Sequence, residues 1–194
     1  MNIAIYIYEN AEVLDFSGPF EVFSTASRLS GSANLFNVFL IAEAKNPVTA
    51  RGGFSVNPRH GFDVHPVIDL LIVAGGSHAN ELKKVQVIRW ISQVAKSAQI
   101  VASVCTGAFL LAEAGLLSGL KATTHWEDIN DLQVSYPDLT LVKSQRWVDE
   151  GKIVTSAGIS AGIDMSLHLV SRLATRELAE KTARQMEFDW SNNS

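Results

Sequence analysis

One cysteine, Cys105, in 194 residues leaves no partner for a disulfide within the chain. A chain of this length can bury a core without covalent staples, and the missing disulfide places it in a reducing compartment, with the cytoplasm expected, or makes it indifferent to oxidation. Basic residues are also scarce: 16 Lys and Arg stand scattered among 20 Asp and Glu, for a net charge of −4. That pattern lacks the basic face that phosphate binding requires, and no nucleic acid partner is expected. No apolar run approaches the length that crosses a bilayer, so no membrane partner is expected either. The opening MNIAIYIYEN is apolar but has no Lys or Arg ahead of it and no small-residue cleavage site. It reads as a first core strand rather than a signal peptide.

Charged residues amount to only 19%, against about 25% in an average soluble domain. Apolar residues reach 47%, and part of that surface is expected to be covered by a second subunit. Ile3–Tyr8, Asp69–Ala74 and Gln99–Val104 are short runs rich in Ile and Val, the pattern of strands buried on both faces. Each leads through small residues into a helical pattern: DFSGPFEVFSTASRL, GGSHANELKKVQVIRWISQVAKSA and TGAFLLAEAGLL. Repetition of strand, turn and helix predicts an α/β fold, a three-layer sandwich with a mostly parallel central sheet and helices on both faces. LFNVFLIAE adds a strand, and VTARGGFSVNP a hairpin turning at Gly52-Gly53. Beyond Leu117 the pattern gives a strand at Lys121–Thr124, a helix around Glu127–Ser135 and short strands about a turn at Glu150-Gly151. Two helices close the chain, the second over Thr175–Trp190. With no linker or repeat, a single domain over residues 1–194 is expected.

In an open parallel sheet, ligands gather at the carboxyl ends of strands. QIVASV-C-TGAFLL puts Cys105 at such an end, in the pattern Ser103, Val104, Cys105, Thr106, Gly107 that a nucleophile elbow requires, because so sharp a turn tolerates only small neighbours. A thiol at the start of the following helix is expected to have a lowered pKa, with the Thr106 N–H facing any developing negative charge. The plain alternative is a small buried core residue, the common fate of a free cysteine.

Two further segments bear on that choice. KATTHW places His125 at the end of the next predicted strand, either beside the cysteine or as a structural histidine. EVLDFSGPFEVF supplies Asp15 and Glu21, either of which offers a carboxylate to the thiol; Asp15 is alternatively a cap for a helix beginning near Ser17 or Pro19. Trp126 is either a pocket wall or a hydrophobic anchor. Gly158 and Gly162 point to close backbone approach near the site, or to a tight strand-to-helix turn. His60, His65 and His78 fall in predicted loops without paired ligand spacing, so no metal and no other cofactor is expected.

The segments LDFSGPFEVF, DLLIVAGG, VCTGAFLLAEAGLL, ATTHW and TSAGISAGIDMSLHLV, in this order over almost the whole chain, resemble the ThiJ/PfpI superfamily, whose fold is like that of class I glutamine amidotransferases. The subgroup most similar contains isocyanide hydratase and the ligand-binding halves of AraC-type regulators. The resemblance implies that Cys105 is the nucleophile, with the Thr106 amide, alone or together with its hydroxyl, facing the ligand, Asp15 as general acid and base, and Gly75-Gly76 as oxyanion-type donors. It puts His125 at the superfamily's usual spacing, leaves Glu21 as the alternative acid to Asp15, and implies a homodimer.

The implied chemistry is attack of a Cys105 thiolate on an isocyanide carbon to give a thioimidate, then hydrolysis to an N-substituted formamide. The competing readings are a ligand sensor and a redox sensor built on the same thiol. A glutamine amidotransferase is disfavoured, because its late His-x-Glu pair is replaced here by His168 with Val170 two places on. A complete AraC-type regulator is disfavoured by the absence of a helix-turn-helix after the last α/β helix, and a peptidase by the lack of a clear triad.

Overall fold

The computed structural model describes residues 1–32, 35–191 and 193. In chain order the elements are β1 (Asn2–Tyr6), α1 (Val13–Leu29), β2 (Asn37–Ala42), β3 (Val48–Ala50), β4 (Phe54–Val56), β5 (His60–Gly61) and β6 (Leu70–Val73). They continue with α2 (His78–Glu81), α3 (Val85–Ser97), β7 (Ile100–Val104), α4 (Gly107–Glu113), β8 (Lys121–Ala122), α5 (Ile129–Ser135) and β9 (Thr140–Leu141). The last are β10 (Trp147–Asp149), β11 (Ile153–Ser156), α6 (Ala161–Leu173) and α7 (Arg176–Gln185).

Seven strands form the central sheet in the order β10-β11-β7-β6-β1-β2-β5. β10 pairs antiparallel with β11, while the remaining pairings in this sheet are parallel. The central strands are apolar on both faces because both faces are covered: every residue of β6 is 0% exposed. Burial of each such aliphatic side chain contributes about 1.5–3 kcal/mol. On one face α1, α6 and α7 pack against one another, and α3 and α4 meet in the other helical layer. In α3 the buried Val87, Trp90, Ile91, Val94 and Ala95 recur at helical spacing. This is the three-layer α/β sandwich expected from the sequence.

Three expectations are corrected, one of them the final helix, which ends at Gln185 short of the expected Trp190. The strand predicted at Lys121–Thr124 is only the two-residue β8, and it pairs with β9 outside the central sheet. Its continuation is diverted because the Thr123 N–H donates to Thr155 Oγ1 at 2.9 Å instead of to a strand neighbour. The helix expected to begin near Ser17 or Pro19 begins at Val13 and runs through Pro19. Proline there takes away the amide that would bond the Asp15 carbonyl, and the helix carries on around it.

From β1 the chain crosses to β2 on one side, and from β6 it moves to β7 on the other. The strand order therefore reverses between β1 and β6, which is where an open α/β sheet opens a crevice. Tyr6 is in register with Val73, and Val73 with Ser103, so the carboxyl ends of β1, β6 and β7 lie level. The turns that follow them carry Asp15, Gly75-Gly76 and Cys105.

Candidate active site

Cys105 sits between the last residue of β7 and the start of α4 with φ 55°, a left-handed conformation uncommon outside glycine. Neighbouring backbone holds it there. Its N–H is shared between the Ser156 and Ala157 carbonyls at 3.2 Å each, and its carbonyl accepts the Thr124 hydroxyl at 2.8 Å. Gly107 must lack a side chain, because a Cβ there would run into the Val73 carbonyl. The turn leaves Cys105 only 7% exposed, at the floor of a cavity of about 210 Å³.

Asp15, in the first turn of α1, is fully buried. Its Oδ2 accepts the Gly75 N–H at 3.1 Å and its Oδ1 the Ile159 N–H at 3.2 Å. Ile159 donates from φ 56°, a strained conformation for a β-branched residue. A Cβ built on Gly75 would stand 2.6 Å from Asp15 Oδ2 and 2.8 Å from Cys105 Cβ, so the acid and the cysteine are neighbours across a position only glycine can fill. Burial first, and the Glu12 charge second, push Asp15 up to about 7 against the pull of its two N–H donors. The group is thus near half-ionised at neutral pH.

The lowered thiol pKa expected from the helix start is overturned. Burial, and then the Asp15 carboxylate, push the Cys105 thiol well above its ordinary value, and the Thr106 N–H opposes them without prevailing. Magnitudes explain the outcome. A helix terminus supplies up to about 2 kcal/mol, whereas full burial can oppose ionisation by about 4–7 kcal/mol. The sulfur therefore keeps its proton at rest, beside a carboxyl ready to take it.

The remaining predicted residues divide. Thr106 lines the cavity, and its hydroxyl both donates to the Gly76 carbonyl at 3.0 Å and accepts the Gly76 N–H at 2.9 Å. The amides of Gly75 and Gly76 are thereby engaged by Asp15 and Thr106, so these glycines position two side chains instead of offering free oxyanion donors. His125 lines the cavity with Nδ1 3.3 Å from Asp128 Oδ2, and its ring packs where a Cβ on Gly158 would be, which accounts for that glycine. It makes no hydrogen bond to Cys105 among the described residues. Trp126 is 75% exposed and faces an adjoining cavity beside Thr124 and Asn130. Glu21 lies on the exposed side of α1, bonded to Thr25 and paired with Arg28, and takes no part in the site.

Further residues line the cavity, Arg51 and His78 among them. Arg51 arrives on the β3–β4 hairpin, whose backbone is tied to the loop after β1 through Arg51 N–H to the Ala11 carbonyl at 2.9 Å, and it pairs with Glu12 at 2.8 Å. His78, assigned to a loop, opens α2 and stacks on Phe109. Both depend on loops folding over the strand ends, for which periodicity carries no signal.

Residues 1–172 match the model of the DJ-1/PfpI family. The chain belongs to the DJ-1/PfpI family. Among curated relatives of this DJ-1/PfpI chain, an isonitrile hydratase of Pseudomonas putida is 33% identical over 190 residues, covering 97% of the chain and 78% of the relative. The HTH-type transcriptional regulator CdhR of Pseudomonas aeruginosa is 32% identical over 173 residues, and the chain spans about half of its length, 51%. A ThiJ/PfpI family protein from Pseudomonas syringae superposes with a TM-score of 0.86 at 27% identity, over 97% of the chain and 75% of that structure. These matches bear out the resemblance to ThiJ/PfpI proteins, with isocyanide hydratase and AraC-type relatives, carried by five segments over almost the whole chain.

Proposed function

We propose that this protein is a cysteine-dependent hydratase of small electrophilic molecules, with an isocyanide as substrate and an N-substituted formamide as product. The observation that carries the reading is the fully buried Asp15 beside Cys105, the residue that lines the cavity, with the carboxyl raised to about 7 and the thiol still protonated. The similarity to an isonitrile hydratase over 97% of the chain supports the choice of reaction.

The geometry suggests concerted proton handling rather than a preformed thiolate. Asp15 takes the Cys105 proton as sulfur bonds to the terminal carbon of R–N≡C, and returns it to that carbon, giving the thioimidate R–N=CH–S. Water then adds to the C=N carbon, with Asp15 accepting its proton and passing it to nitrogen. The hydroxyl of the adduct then passes its proton to the departing sulfur as the C–S bond breaks and C=O forms, which releases the formamide R–NH–CHO and regenerates the thiol. The Thr106 N–H, facing the sulfur, stabilises charge there as bonds form and break.

A small molecule is the partner in this reading, and self-association as a homodimer is part of it; sedimentation tests the second. The second reading is a sensor domain, favoured by the 32% identity to a transcriptional regulator. Acid quenching of the protein with an aryl isocyanide, followed by intact mass measurement, separates them. A Cys105 adduct that appears and decays with formamide release supports the hydratase. A ligand that binds and dissociates without any adduct or product favours the sensor.

A further inference from the structure

We infer that the Cys105 cavity admits small substrates that carry an amine or ammonium group beside the reactive carbon, and turns away anionic ones. The inference rests on the proposed hydratase only for the electrophilic carbon; the charge preference comes from the cavity walls. Of the charged side chains lining it, Arg51 is neutralised by Glu12 at 2.8 Å. The wall also carries Glu127 and Asp128, whose only basic partner within 4.0 Å among the described residues is His125, at 4.0 and 3.3 Å. With its two histidines, His78 and His125, uncharged, the lining carries three carboxylates, Glu12, Glu127 and Asp128, against the one guanidinium of Arg51. Asp15, buried beside Cys105 and not part of the lining, adds charge of the same sign when ionised. A cavity of about 210 Å³ brings any ligand on Cys105 close to this wall. A cleft that carries an excess of one sign of charge attracts ligands of the other sign, and water screens the part of that field due to the exposed Glu127.

Cys105 is the chain's one thiol, which makes a direct test available. Methanethiosulfonate reagents differing only in their tail, trimethylammonium or sulfonate, each transfer a thioalkyl group to sulfur while a sulfinate leaves. Their rates on the intact protein, divided by their rates on free cysteine, report the field at Cys105 without any need for turnover. The cationic reagent is expected to be favoured by about tenfold. Glu127→Gln with Asp128→Asn should collapse the ratio, while Glu180→Gln, outside the cavity on α7, should leave it unchanged. A ratio near one, a preference for the sulfonate, or failure of Cys105 to react with either reagent would overturn the inference. Loss of isocyanide turnover with the ratio intact would instead count only against the hydratase.

Discussion

The Gly75 N–H donates to Asp15 Oδ2 at 3.1 Å, and a Cβ built on Gly75 would stand 2.6 Å from that same oxygen. One position therefore supplies the bond that aims the carboxyl and the empty space that lets it approach the cysteine.

Gly75→Ala is accordingly expected to displace Asp15 from Cys105. Overpacking of this kind costs about 1–3 kcal/mol of stability, and misplacement of a reacting group by about 1 Å costs about a hundredfold in rate. Urea unfolding and isocyanide turnover measure the two. A variant with native turnover would show that Gly75 does not set the acid's position.

Asp15 makes stability and activity respond to pH in opposite directions. Its carboxyl titrates at about 7 when folded and near 3.8 when exposed, so between these values the folded chain holds more protons than the unfolded one. Stability therefore falls as pH rises from about 4 to 7, by up to about 1.4 kcal/mol for each step of one in pH. Asp15→Asn should flatten this slope in urea titrations from about pH 4 to about pH 8. Turnover needs the carboxylate as base, and should rise with pH through about 7 in the wild type.

Arg146 Nε donates to the buried Asp164 Oδ2 at 2.5 Å, and the Ser191 N–H reaches the other oxygen at 2.9 Å. Arg146→Met leaves a buried carboxylate without its cation, a change worth about 3–5 kcal/mol. Combining it with Asp164→Asn should recover part of that loss, which a double-mutant cycle in urea would quantify.

Glu21→Gln is the contrasting case. The side chain is exposed on α1 and paired only with its own helix. Exposed ion pairs contribute about 0–1 kcal/mol, and both stability and turnover should stay within that margin. A large loss of turnover would mean that Glu21 acts at the site after all.

The sheet was legible in the sequence because its central strands are buried on both faces, and Ile3–Tyr8, Asp69–Ala74 and Gln99–Val104 each differ from an observed strand by at most two residues at an end. The cysteine turn was legible for a steric reason: Gly107 is forced by the Val73 carbonyl, so spacing alone marked the bend. Choosing Asp15 over Glu21 took the resemblance, since both are acids on one helix and only the fold shows which faces inward. The direction of the thiol's titration was misread because residue order reveals a helix start but not how much water is lost there. Arg51 was out of reach, since the hairpin brings it to the cavity from a distant part of the sequence.

The most direct test of the covalent account is steady-state conversion of a simple aryl isocyanide to its formamide, with Cys105→Ala and Asp15→Asn alongside the wild type. The account predicts multiple turnovers by the wild type and none above background by either variant, with both variants folded by circular dichroism. Wild-type protein that makes no formamide, or a Cys105→Ala variant that still makes it, would contradict it.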